Sequence, residues 1–425
     1  MNFLNAKSKW YVRLVWMVLL FGLAASAVIA KQPVTRITIW TINQPGVDPV
    51  GNWIEQKIRQ FEKVNPGIRV EHRFWENQSY KTKLKVAMFS GEGPDIFFNW
   101  GGESQFIYAR AGLLYDLTHD LGKNKWGLSQ KMFTPHSYRG KVYGVPIFPT
   151  VSVVWYNKEL FVKHGWRIPL TWQEFLALCH QIKAKGYIPV AMGGQEPWTI
   201  LHPYMYIVNR IAGTKRYFSA KNRQIPFTHP DFVKALQILQ ELAHKGCFPT
   251  EVLSLNYMDA NQLMVHDKAL MMISGDWEYA RLTNQLRQDL NKWDFFSFPV
   301  FPGEKGDFSS IIGAMDGFSI KRSNHAKAAV KFLKYLSGKA NLVEIYRKSG
   351  NMVALATPYI GAHDPPQFKK IAKLLANAPL ATQWWDQDLP EPVSQVLLRS
   401  LQDLVADKCT PKQAAVRIEQ AYIKH

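Results

Sequence analysis

Fifteen tryptophans and thirty-three acidic residues run through this 425-residue chain, and some of the acids stand directly beside the tryptophans. A flat ring stacks against C–H faces and a carboxylate accepts hydrogen bonds from hydroxyls, the two demands a saccharide makes of a cleft. The same carboxylates could instead do chemistry, because hydrolysis of a glycosidic bond takes two carboxyls about 5 to 9.5 Å apart. Asp276, Glu278, Asp386 and Asp388 are the candidates for that role. Carboxylates also bind hydroxyls without catalysis and no hydrolase motif pairs these four, so a non-enzyme is expected. The 12 histidines are dispersed without H-E-x-x-H, and no C-x-x-C, Walker loop or G-x-G-x-x-G occurs. Neither a metal nor a nucleotide cofactor is expected.

The elements that must position such residues alternate. The chain after residue 30 opens with an apolar strand, Arg36 to Ile42, and a helix follows with Trp53, Ile54, Ile58 and Phe61 on one face. Asn65-Pro66-Gly67 stops that helix, and Ile68, Val70, His72 and Phe74 alternate as a second strand. A helix from Tyr80 to Ser90 and a short strand from Asp95 to Asn99 come next. Strands alternating with helices predict a mainly parallel sheet covered on both faces. From Val142 a long extended run with two prolines leads to a helix at Lys158 to His164. Thr171 and Glu174 form a capping box for a helix reaching Lys185. Helices are expected at Asp231 to Lys245 and around Asn261 to His266, with Trp277 lying between two helical segments. Strands at Asp294 to Phe301 and Ile312 to Ile320, a helix at Ala326 to Leu336, and a helical tail from Pro366 to Tyr422 broken by Pro379, Pro390 and Pro392 complete the reading.

Residues 1–30 read as a targeting segment: Lys7, Lys9 and Arg13 precede an uncharged run from Leu14 to Ala30 that ends in small residues. Cleavage is expected after Ala27 or Ala30, and no Cys follows either to take a lipid, so a free periplasmic protein is expected. An uncleaved anchor is the competing reading. The formal charge of +19 falls to +16 without this segment, which has no Asp or Glu. The basic residues are spread along the chain, which points to a solvated surface before an acidic ligand or membrane, and to nucleic acid last. Three cysteines, Cys179, Cys247 and Cys409, allow at most one intramolecular disulfide.

The order of segments resembles the extracellular solute-binding proteins of ATP-driven importers, in particular the carbohydrate group of maltose and raffinose type. The residues that carry the likeness are FEKVNPGI (Phe61 to Ile68), GEGPDIFFNWGG (Gly91 to Gly102), VWYNKELF (Val154 to Phe161), PLTWQEFL (Pro169 to Leu176), MMISGDWEY (Met271 to Tyr279) and WWDQDLP (Trp384 to Pro390). This resemblance implies a two-lobed α/β periplasmic-binding-protein fold, class II-like, each lobe a mainly parallel sheet flanked by helices. Lobe 1 would hold residues 31–148 and about 302–352, and lobe 2 about 152–298 and 359–425. Hinge crossings are placed near 148–151, 299–301 and 352–358. The resemblance also implies a monomer that closes on a sugar and delivers it to the membrane permease subunits of an ABC importer, or presents it to a chemosensory receptor.

It further implies a cleft lined by Trp100, Trp198 and Trp277, with one of Trp384 and Trp385. Glu103, Glu196 and Asp386 would accept hydroxyl hydrogen bonds; Asp276 would do so or cap the following helix, and Asn43 and Gln44, after the first strand, would supply amides or form a simple turn before Pro45. Gly313 to Phe318 departs from the glycine-richer family version, and Asp316 there either contacts ligand or holds a turn. Neutral oligosaccharides are the default ligand; an acidic, uronate-containing one would need a cation in the cleft, for which Arg110, Arg139, Arg210 and Arg281 are the candidates.

Overall fold

The structure, a computed structural model, describes residues 34–284, 292–306, 308–378 and 381–425. The expected leader at residues 1–30 and the break at Pro379 lie outside the described residues. Nine strands form one mixed sheet: β1 (Thr35–Thr41), β2 (Ile68–Phe74), β3 (Ile96–Asn99), β4 (Gly144–Asn157), β5 (Ile188–Ala191), β6 (Ala269–Gly275), β7 (Trp293–Phe296), β8 (Ile311–Ile320) and β9 (Ala381–Thr382). Their order is β2-β1-β3-β8-β4-β6-β5, with β7 also on β4 and β9 on β8.

The parallel pairings expected from alternating elements are found at the two ends of the sheet, where β1 pairs with β2 and β3, and β5 with β6. In the middle, β4 and β8 run antiparallel to each other, β8 runs antiparallel to β3, and β4 to β6 and β7. The middle of the sheet is built on β4. All fourteen residues of GVPIFPTVSVVWYN are buried, as a continuous apolar run covered on both faces should be. Its first half, Gly144 to Val151, pairs with β8, whereas Ser152 to Tyr156 pair with β6 and Val154 to Asn157 with β7. One strand therefore belongs to both halves of the sheet and changes partners between Val151 and Ser152.

Local chemistry explains the helix starts. Asp48 accepts the Val50 amide at 2.7 Å and caps the helix Pro49–Val64. The capping box forms: Glu174 donates its amide to the Thr171 hydroxyl at 3.3 Å, and the Glu174 carboxylate accepts the Thr171 amide at 2.9 Å. The helix Asn77–Ser90 begins three residues before Tyr80 because Glu76 accepts the Gln78 amide at 2.9 Å.

Several expectations change. Ile188–Ala191 and Ala269–Gly275 are strands where none was expected, so Trp277 follows a strand and precedes the helix Glu278–Asn284. Short buried apolar runs carry no period that separates strand from helix. The strand expected at Asp294 to Phe301 ends at Phe296, with Val300 making only an isolated bridge to Thr171. Pro392 begins a helix: Glu391–Val405 has it in the first turn, where a missing amide hydrogen costs nothing.

Candidate functional site

A cavity of about 270 Å³ lies where the strand ends of the two sheet halves meet, the place where open α/β sheets put ligands. Trp100 enters it directly after β3. Gly101 and Gly102 both adopt positive φ, at 70° and 67°, and let the chain turn sharply there. Asn99 accepts the Gly101 amide at 2.8 Å to hold the turn. Ile42, Asn43 and Gln44 follow β1 into the same cavity, with Asn43 donating its side-chain amide to Asp48 at 3.3 Å.

The facing wall is aromatic and drawn from distant segments. Trp198, the first residue of the helix Trp198–Ala212, lies 6.3 Å from Trp277 and 4.8 Å from Tyr257, ring centre to ring centre. Trp277 lies 5.9 Å from Trp384, and Trp384 stacks on His202 at 4.6 Å with 8° between planes. The Trp277 indole donates to the Tyr257 hydroxyl at 2.9 Å, which fixes its plane. Phe148 and Thr150 of β4 and Asp316 of β8 also line the cavity.

Charge in this space is mostly negative. Asp48, Glu76, Glu196, Asp316 and Asp386 line it against Lys81 and Arg281. Both cations are engaged: Lys81 Nζ lies 3.0 Å from Asp386 Oδ2, and Arg281 Nη2 lies 3.7 Å from Asp48 Oδ2. Burial pushes the Glu196 carboxyl up to about 7, with the neighbouring Glu76 carboxylate adding to the effect while the Tyr257 amide, 2.6 Å away, opposes it. Burial lowers His202 to about 4, so its ring is neutral at pH 7. Arg110, Arg139 and Arg210 do not line the cavity; Arg110 pairs with Glu103, and Arg210 is buried, donating to the carbonyls of Phe298 and Ser310. Among the four arginines considered from sequence, Arg281 is the one that lines it. Lys81 was missed, since nothing in a lone helical lysine signals the cavity.

The structure thus brings together Asn43, Gln44, Trp100, Glu196, Trp198, Trp277, Trp384 and Asp386. Three expected residues stand elsewhere. Trp385 is 1% exposed and stacks on Tyr217 at 4.2 Å, in the core below its neighbour. Asp276 is buried and accepts the Val151 amide at 3.0 Å, while its own amide donates to the Val151 carbonyl at 2.9 Å. It ties β6 to the point where β4 changes partners. Glu103 lines a neighbouring cavity of about 560 Å³ on the other side of Trp100, Lys81 and Asp386, which both cavities share. Of the four carboxyls considered for hydrolysis, only Asp386 lines the aromatic cavity. Glu278 is buried, accepting from Ser274 and Tyr257, and Asp388 is held by Tyr217 at 2.8 Å and Lys221 at 2.5 Å. Among the described residues no three His, Cys, Asp or Glu side chains are grouped to hold a metal ion, and no helix is long and apolar enough to cross a membrane.

Comparison with known proteins places this geometry. The model of the bacterial extracellular solute-binding protein family matches residues 45–342. A multiple sugar-binding protein of Streptococcus mutans is 29% identical over 331 residues, covering 75% of this chain and 76% of its own. A solved structure from work on xylan utilisation by the thermophilic bacterium Caldanaerobius polysaccharolyticus has a TM-score of 0.86 at 28% identity, covering 91% of this chain and 99% of that one. A chitin oligosaccharide binding protein shares the fold, with a TM-score of 0.85 at 24% identity over 92% of this chain and 98% of its own. With two-lobed solute-binding proteins as its structural neighbours and a family match over most of its length, this chain belongs to the bacterial extracellular solute-binding protein family.

Proposed function

We propose that this protein binds a neutral oligosaccharide between two lobes and hands it to the membrane permease of an ABC importer. The observation that carries the ligand class is the aromatic wall of Trp198, Trp277 and Trp384, set with Trp100 around a cavity rich in hydrogen-bond acceptors. Indole faces suit the C–H faces of pyranose rings, and Glu196, Asp316, Asn43 and Gln44 suit their hydroxyls. An anionic sugar is disfavoured, because the two cations of the lining, Lys81 and Arg281, are already engaged by Asp386 and Asp48. The adjoining cavity beyond Trp100 gives room for more than one sugar ring. A multiple sugar-binding protein among the relatives agrees with this reading.

The lobes would comprise residues 31–148 with about 302–352, and about 152–298 with 359–425. Supporting this, β4 changes partners between Val151 and Ser152, Val300 still bridges Thr171 before β8 returns, and Ala354 donates to the Ile147 carbonyl before Gln367 reaches the Trp293 carbonyl. A ligand touching both lobes favours the closed form by its differential affinity alone. Export by a leader cleaved after Ala27 or Ala30 and function as a periplasmic monomer complete the proposal.

The test is calorimetric and fluorescence titration of the purified protein against neutral and uronate-containing oligosaccharides. Neutral chains of two or more units should quench or shift tryptophan emission and raise the melting temperature. If no saccharide changes either signal, carbohydrate binding is refuted while the fold stands. Release of product from any of the same oligosaccharides would refute a purely binding role.

A further inference from the structure

Asp316 lines the aromatic cavity from β8, and its surroundings do not satisfy it. The residue is only 7% exposed, and its Oδ1 is enclosed without a hydrogen-bond partner. It sits where the pairing with β4 slips, between Asp316 opposite Phe148 and Gly317 opposite Pro146. The extra residue there is Ile147 of β4, so the regular ladder is broken beside Asp316. The two cations of the cavity, Lys81 and Arg281, are held by Asp386 and Asp48. The neighbouring carboxyl, Asp276, is by contrast occupied by the Val151 amide at 3.0 Å. Buried polar groups are almost always hydrogen-bonded within a folded chain, so a carboxyl left unmet at the edge of a ligand cavity calls for a partner from outside.

We propose that Asp316 is a specificity-determining residue of the cleft, exchanging hydrogen bonds with one ligand hydroxyl that the aromatic walls bring to β8. The proposal rests on the saccharide reading of the preceding section and narrows it. Burial, reinforced by the Asp276 carboxyl, raises the proton affinity of Asp316 well above that of an ordinary aspartate. In the neutral form one oxygen donates and the other accepts, which matches the double character of a hydroxyl. A residue kept for the ligand in this way costs stability in the free protein, a trade common at binding sites.

The experiment compares Asp316→Ala and Asp316→Asn with the parent protein, each titrated with neutral oligosaccharides and with a series lacking single hydroxyls. Asp316→Ala should melt higher than the parent when ligand-free and bind the preferred saccharide roughly 10- to 100-fold more weakly. Asp316→Asn, which keeps a donor and an acceptor, should recover most of that affinity. One deoxy analogue should lose the same factor on the parent and lose nothing further on Asp316→Ala, as a shared interaction requires. Unchanged affinity in Asp316→Ala overturns the proposal alone, as does a lower melting temperature with affinity intact, which would mark a structural group. A parent that binds no saccharide overturns the reading beneath it and the proposal together.

Discussion

Trp384 and Trp385 are adjacent in sequence, and only the first lines the cavity of the proposed site, which makes truncating each to alanine a sharp test. Trp385 is 1% exposed, stacked on Tyr217 and edge-on to Tyr204 at 5.6 Å and Phe232 at 6.3 Å. Removing a ring so enclosed leaves a hole that its neighbours fill poorly, and such substitutions cost about 3 to 5 kcal/mol. With roughly 2 cal/mol/K of unfolding entropy per residue, a chain of this size should lose about 4 to 6 °C in Tm. Trp384, 4% exposed, stacks on His202, meets Trp277 at 71° between planes, and lines the cavity. Its loss should cost about 1 to 3 kcal/mol of binding, combining lost apolar area with lost stacking, or roughly tenfold to a hundredfold in Kd. Differential scanning calorimetry and isothermal titration on both variants separate the effects. Trp385→Ala should bind within a few-fold of the parent while melting lower, whereas Trp384→Ala, also losing an enclosed ring, should melt lower and lose affinity as well. If Trp385→Ala loses affinity as steeply as Trp384→Ala while remaining folded, the division of the pair into wall and core is wrong.

The buried carboxyl of Asp276 gives a pH prediction with a definite sign. Burial raises it from 3.8 to about 7, so the folded state holds a proton that the unfolded state releases, and ionising it in place costs on the order of 4 kcal/mol. Its contribution is present below about 3.8 and is lost as pH rises through about 7. Asp276→Asn should therefore melt progressively higher relative to the parent from pH 5 to pH 8; a difference independent of pH would refute this. Lys81 and Lys85 of the helix Asn77–Ser90 pair with Asp386 and Glu391 of the tail, which ties the two proposed lobes together. Replacing both lysines by alanine should enlarge the ligand-free protein in small-angle scattering and weaken binding roughly 5- to 50-fold, as population-shift arithmetic allows; an unchanged radius would show that these pairs do not hold the cleft shut. Cys179 and Cys247, free and buried, line one cavity together, while Cys409 sits by the Ser400 carbonyl. Mild oxidation followed by thiol counting in denaturant should leave one free thiol, Cys409; three thiols or a different pairing would refute the assignment.

How much was legible in the sequence depends on what signalled each feature. The helix Lys158–His164 was read to the residue because Asn157 caps it and Gly165 ends it with a left-handed turn. The capped helix at Trp172 was equally plain. The strands β5 and β6 were not, since ALMMISG and IPVA are buried throughout or nearly so and show no alternation. The site divides along similar lines. Trp100, Trp198 and Trp277 stand at the ends or starts of elements, where a side chain can reach a cavity, and family likeness singled them out. Trp384 and Trp385 could not be separated, because only the tertiary position of the short helix Trp385–Asp388 decides which ring turns to Tyr217.

Charge illustrates the same limit from another side. A chain that is strongly basic overall carries a cavity in which five carboxyls outnumber two cations, so the net charge, which points first to a solvated surface, says nothing of the cavity's own balance. Bulk composition describes the solvated surface, because that is where most lysines and arginines can stand without loss of hydration. The cleft obeys a different rule: each cation there is fixed by a carboxylate, and the carboxyls left over are partly neutralised by burial, as Glu196 at about 7 shows. Groups poised in this way accept and donate hydrogen bonds without presenting a full charge. A polyhydroxyl ligand needs that arrangement more than it needs any ion pair, and it can be recognised only once the fold has put Glu196 beside Glu76 and Asp316 beside Asp276.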